Sequence, residues 1–134
     1  MKTKDKYSLL SPEVELIATE IVDAAYKVYN KLGPGLLEKV YEVCFCHELS
    51  KKGISNERQV IVPIKYDELE FEEGFRLDVL VDDKIICELK AVEKILPVHE
   101  AQLLSYLKIT KYRLGFLINF NSSTFKDVIK RRIL

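Results

Sequence analysis

Residues 76–90 read RLDVLVDDKIICELK. Two apolar runs, one interrupted by Asp78 and the other by Glu88, flank the polar cluster Asp82-Asp83-Lys84. β-Branched runs bounded by a polar cluster predict two strands and a turn, here Phe75 to Val81 and Ile85 to about Ala91. Alternate residues of a strand share a face, so Glu88 and Lys90 project together. Whether Asp78 joins them depends on the turn. A three-residue loop, 82–84, pairs Val81 with Ile85 and puts Asp78 opposite Glu88. A two-residue loop puts Asp78 opposite Cys87, on the other face from Glu88. A slip of one residue separates the two outcomes. Three-residue loops are common, and Asp tolerates the left-handed position such a loop needs.

Carboxylates within apolar strands need a physical reason. Two of them facing each other repel unless they share a proton or a cation. Mg²⁺ or Mn²⁺ answers that need by taking carboxylate oxygens, a main-chain carbonyl such as that of Leu89, and waters. Lys90 then positions or deprotonates a water and offsets negative charge on a phosphate. These parts are what metal-assisted phosphodiester hydrolysis requires. The plain alternative is a half-exposed strand with solvent-facing charges, since Asp-x9-Glu-x-Lys is a loose pattern by itself. Three features weigh against it. The pattern sits on a hairpin. Glu38 lies near the start of a preceding helix. Gln102 and Tyr106 stand four apart on one face of the following helix.

Outward from the hairpin, the N-terminal side is helical. Residues 1–10 read as a polar lead-in. Ser11-Pro12 is a helix start, with Ser as cap and Pro in the first turn. Ile17, Ile21, Ala24, Ala25, Val28 and Leu32 recur at helical spacing. Gly33-Pro34-Gly35 ends that helix. A second helix is expected from Leu36 to about Lys52, with Leu37, Val40, Tyr41, Cys44 and Leu49 buried and Gly53 as its terminator.

The period then drops to two. Val60, Val62, Ile64 and Tyr66 alternate with polar residues, and Pro63 marks an edge or a bulge. Asp67 to Glu70 is read as a turn. Beyond Lys90, a helix over Val98 to Ile109 would face the core with Ala101, Leu104 and Leu107 or Ile109. Tyr112 to Phe120 reads as a strand buried on both faces. The last segment fits a short helix or a strand, with strand favoured over Val128 to Leu134. Helices around a central mixed sheet, an α/β fold in one domain over residues 1–134, follow from this order.

Gly35-Leu-Leu-Glu38-Lys-Val-Tyr41, taken with Asp78, Glu88-Leu-Lys90 and Gln102-x3-Tyr106, resembles the GxxExxY family of the PD-(D/E)XK nuclease superfamily. The resemblance runs from about Leu16 to the C-terminal IKRRIL. It departs from the superfamily pattern at Leu77-Asp78, where Pro-Asp is usual. It implies a restriction-endonuclease-like core with a central mixed sheet flanked by helices. It implies Asp78 and Glu88 as metal ligands, Lys90 as the catalytic lysine and Glu38 as an extra ligand. Gln102 and Tyr106 resemble an element following the core motif in exonuclease-like members.

Composition sets limits. Lys plus Arg number 21 and Asp plus Glu number 21, so no overall basicity advertises a nucleic-acid partner. Three cysteines, an odd count, fit a reducing cytoplasmic setting better than a disulfide scaffold. No apolar run approaches the roughly 20 residues that span a bilayer, so no membrane partner is expected. Cys44-Phe-Cys46-His47 does not converge on one zinc ion, and Gly33-Pro34-Gly35 lacks the Lys-Ser/Thr of a phosphate loop. Two functions emerge. One is a Mg²⁺- or Mn²⁺-dependent nuclease on DNA or RNA, with homodimerisation plausible for cutting two strands. The other is a catalytically inactive module of the same fold that binds nucleic acid or a protein.

Overall fold

A computed structural model describes residues 10–134. The polar lead-in read over residues 1–10 thus lies, except for Leu10, outside the described residues. The elements are α1 (Pro12–Leu32), α2 (Glu38–Lys51), β1 (Asn56–Tyr66), β2 (Leu69–Val81), β3 (Ile85–Lys90), α3 (Pro97–Thr110), β4 (Leu114–Asn119), a 3₁₀ turn (Phe125–Asp127) and β5 (Ile129–Ile133). The five strands lie side by side in sequence order. All neighbours are antiparallel except β3 and β4. A parallel neighbour needs a crossover, and α3 provides it. The expected α/β architecture, a mixed sheet flanked by helices, is the one present.

Each helix covers a defined face. Ile85, Cys87 and Leu89 of β3 pack with Ile17, Ile21, Ala25, Tyr41, Phe45 and Leu49 of α1 and α2. Ile86, on the opposite face, packs with Leu103 and Leu107 of α3. β4 is buried along its whole length, as an apolar strand between two helical layers must be.

The local chemistry follows the sequence at the helix ends. Ser11 Oγ accepts from the Val14 amide at 3.1 Å. Gly53, at φ 75°, follows α2, with its amide on Ser50 O and the Ile54 amide on Leu49 O. This paired reversal closes the last turn with a residue that bears no Cβ.

Three expectations are corrected. α2 starts at Glu38, and Leu37 and Val40 face solvent while Tyr41, Glu42, Phe45, Cys46 and Leu49 are buried. The helix seats its i, i+4, i+8 ladder of large side chains, and Leu37 lies before its first turn. In α3, Leu103 and Leu107 are the buried pair, and Ala101, Leu104 and Ile109 are exposed. Apolar residues surround that helix, so its sequence does not single out one stripe. β2 starts at Leu69, not near Phe75, because the turn is only Asp67-Glu68 and the strand runs through Glu-rich sequence. Pro63 sits on the edge strand β1 and also at a register shift between Val62 and Ile64, so both readings of it hold.

The Gly33–Gly35 turn is held by Tyr41. Its hydroxyl donates to Gly33 O at 2.6 Å and accepts from the Leu36 amide at 3.0 Å. Its ring stacks on Phe120 at 4.9 Å. Tyr41→Phe keeps the stack and leaves two main-chain groups without their partner. It should lower unfolding free energy in urea by about 1–2 kcal/mol. An unchanged midpoint would mean that water replaces the hydroxyl without loss.

Candidate functional site

The β2–β3 turn has the three-residue form. Val81 pairs with Ile85, Leu80 with Ile86 and Val79 with Cys87. Asp82 and Asp83 both adopt left-handed φ, at 52° and 51°. Lys84 N–H closes the loop on Val81 O at 3.0 Å. Counting on from Val79 and Cys87 brings Asp78 opposite Glu88.

At that point side chains take the place of main-chain partners. The Asp78 amide donates to Glu88 Oε2 at 3.0 Å, and the Leu89 amide donates to Asp78 Oδ2 at 2.8 Å. β3 stays paired to β4 through Glu88, Leu89 and Lys90, opposite Leu117, Ile118 and Asn119. The sheet therefore splits between β2 and β3, and two carboxyls occupy the fork. Since the Leu89 amide points into the fork, its carbonyl lies on the same edge, because both groups of one strand residue face one neighbour.

A slip in the pleat accompanies the split. Leu77 packs on the α3 side and Val79 on the α1–α2 side, although the two are alternate residues. On β1, Gln59 has φ 55° between the pairs Arg58–Val79 and Val60–Leu77. Arg58 and Gln59, though adjacent, both reach Glu42. Arg58 Nε lies 2.7 Å from Glu42 Oε2, and Gln59 Nε2 lies 2.9 Å from Oε1. Glu42 is buried at 3% exposure. A buried carboxylate requires such partners. It also ties β1 to α2 at the level where the fork begins.

Sequence reasoning missed Glu42. The available clue was a charged residue four after Glu38, beside the Tyr41–Phe45–Leu49 ladder. It also missed Asn119, buried beside Lys90. Asn119 Oδ1 accepts from the Val92 amide at 3.1 Å, and Asn119 Nδ2 donates to Val92 O at 2.9 Å, so the chain leaving β3 is held down. Asn121 Oδ1 accepts from the Gly35 amide at 2.7 Å, tying the turn before Glu38 to the same end of the sheet.

Burial and the Asp78 carboxylate push Glu88 up to about 8. Burial also raises Asp78, opposed by the Leu89 amide and the Lys90 charge. A hydrogen bond between the two carboxyls raises Glu88 and lowers Asp78, the behaviour of a pair sharing one proton. Glu38, at the exposed start of α2, is raised by partial desolvation and by Asp78, with Lys90 and the Ala91 amide acting in the other direction. Lys90 is half-buried, and its charge acts on all three carboxyls.

The α3 residues divide. Tyr106 is raised by burial and by the Glu88 and Asp78 charges, so it borders the fork, and its ring stacks on Phe75 at 4.3 Å. Gln102, one turn earlier, is exposed. His99 accepts the Leu96 amide on Nδ1 at 3.0 Å, which is a capping role. Among the described residues, no three His, Cys, Asp or Glu side chains are grouped so as to hold a metal ion. The donors that do converge are two carboxyls and one carbonyl edge. This all-oxygen set fits a hard divalent cation completed by water.

The raised Glu88 carboxyl has a consequence for stability. It ionises near pH 4.5 in the unfolded chain and higher when folded, so between those values the folded state holds more protons. Stability is then full below about pH 4.5 and falls as pH rises toward about 8. Glu88→Gln can still accept the Asp78 amide but carries no charge. In chelator, its unfolding free energy should overtake that of the parent protein as pH rises. Parallel pH curves would remove the shared-proton description.

The family model for the PD-(D/E)XK nuclease superfamily matches residues 15–132. No curated protein and no solved structure is a significant match. The matched span includes β1 to β4, all but the last residue of β5, all of α2 and α3 and most of α1. With the two carboxyls and the lysine at the fork of a mixed sheet, the chain belongs to the PD-(D/E)XK nuclease superfamily.

Proposed function

We propose that this chain is a divalent-metal-dependent nuclease. The observation that carries the reading is the Asp78–Glu88 pair, opposed in the sheet fork with Lys90 beside it. Asp78, Glu88 and the Leu89 carbonyl would hold Mg²⁺ or Mn²⁺, and the cation supplies Lewis-acid stabilisation of a phosphate oxygen and a more acidic water. Lys90 holds the attacking water and offsets charge on the phosphate. Glu38, at the mouth, would add a further carboxylate ligand or orient the nucleophile. Gln102 is exposed on the helix that borders the site and would contact substrate. Arg76, exposed two residues before Asp78, is suited to a neighbouring phosphate.

Gly35, Glu38 and Tyr41 have distinct places in the structure, as turn, mouth carboxyl and turn lock. Their arrangement supports the finer resemblance to the GxxExxY group. The free thiols Cys44, Cys46 and Cys87 support a reducing, cytoplasmic setting.

Calorimetric titration with Mn²⁺ tests the site without a substrate. The parent protein should bind saturably, with proton release at neutral pH, and Asp78→Asn should not. Lys90→Ala should keep metal binding and lose phosphodiester cleavage by at least about a hundredfold, the scale of one transition-state electrostatic contact. Metal binding equal in Asp78→Asn and the parent would refute the ligand assignment. Absent metal binding together with nucleic-acid binding would favour the inactive module.

A further inference from the structure

β1 and β2 run on beyond the end of β3. Counted from the Val79–Cys87 pair, Lys90 ends β3 at the level of Arg76. β2 extends from there back to Leu69, about 23 Å at roughly 3.3 Å per residue. Among the described residues this arm is paired only to β1, through Tyr66–Leu69, Lys65–Glu70 and Ile64–Phe71. Opposed residues share a face and alternate residues change face. Ile64, Tyr66, Leu69 and Phe71 therefore form one apolar face, with Lys65 and Glu70 on the other.

That face continues the surface under α3. Val60, Val62 and Phe75 are its inner part and pack in the α3-side cluster. α3 reaches only as far as Tyr106 on Phe75. Beyond it Tyr66, Leu69 and Phe71 are 67%, 58% and 52% exposed. Gly74 keeps the surface close-packed across the register shift, since a Cβ there would meet Ile64 Cγ1 at 2.3 Å. The row Tyr106, Phe75, Phe71, Tyr66 thus starts beside the two carboxyls and leads away along the arm.

The occupant must offer flat apolar faces next to a phosphodiester. Unpaired nucleobases do, and paired bases inside a duplex do not. Charge placement agrees. Asp67 and Glu68 lie in the tip turn, and on the back of the arm Lys65 is already paired with Glu70 at 3.6 Å, so it is not a free cation for a phosphate backbone. A strand laid with its bases on the rings leads its phosphates toward Lys90 at the arm's root.

We propose that the apolar face of the β1–β2 arm, Tyr66 and Phe71 above all, is a stacking platform for unpaired bases that leads a single strand to the Asp78–Glu88 pair. This inference rests on the nuclease reading and specifies its substrate as single-stranded or frayed.

The test uses the full chain carrying Glu88→Gln, so that binding is read without cleavage. Its probes are a fluorescent oligothymidylate and a blunt duplex, followed by anisotropy. Adding Tyr66→Ala with Phe71→Ala should weaken single-strand binding by roughly tenfold or more, the scale of base–aromatic stacking, with duplex binding unchanged. Tyr66→Phe with Phe71→Tyr should keep the affinity. Urea unfolding of each variant checks that the arm still folds. Equal single-strand affinity in the alanine variant, or no single-strand binding by the starting protein, overturns the platform. Duplex cleavage by the Glu88 protein in that event leaves the nuclease reading standing. Sedimentation supplies one further outcome: a dimer that the alanine pair turns into monomer makes the face a contact between copies and also overturns the platform.

Discussion

Two carboxyls that repel each other are held together where the sheet divides. Asp78 and Glu88 can stand opposed because each accepts a main-chain amide of the other's strand. Those bonds replace ladder bonds, so the strands are linked through the groups that carry the chemistry. The cost is a buried pair that cannot fully ionise without help. A site in that condition favours a cation, since a cation removes the repulsion and leaves the amides satisfied. The folded chain is thus strained electrostatically at one place, and that place is where an oxygen-seeking metal fits.

The rest of the structure maintains this arrangement. Buried Glu42, gripped by Arg58 and Gln59, holds β1 against α2 where the pleat slips. Without the slip, Leu77 and Val79 would share a face, and one of the two core clusters would lose a residue. Tyr41 and Asn121 hold the turn that sets Glu38 at the mouth. Asn119 pins the chain as it leaves Lys90. None of these residues needs to touch substrate. They fix the directions in which the three charged side chains project, and a displacement of about 1 Å at such a site costs heavily in rate.

Much of this was legible in the sequence, for identifiable reasons. The two-residue period of Val60, Val62, Ile64 and Tyr66 reported one shared face, which the structure bears out. The polar triplet Asp82-Asp83-Lys84 allowed two registers and favoured one, since both aspartates could take the left-handed conformation they adopt. Helix faces were less legible. α3 is apolar on several sides, so only contact with Ile86 and Leu117 selects Leu103 and Leu107. Glu42 was hidden because its partners come from a strand separated from it by a loop. The fork itself has no local signature, because it arises where two strands part and a pattern along one strand does not record its distance from the next.

Zero net charge is compatible with a polyanionic substrate once the charges are placed. Arg131 is occupied by both oxygens of Glu15, and Arg132 is paired with Glu100. The basic C-terminal run is thus in part structural cross-linking between β5 and the helices. At the fork, Lys90 is the cation whose charge acts on Asp78, Glu88 and Glu38. On the nuclease reading, a bound divalent cation would offset the excess negative charge there. On that reading, the field a phosphate would meet depends on the metal more than on overall composition. Zero net charge would then be no obstacle to a phosphate at this site, because the attraction would be local.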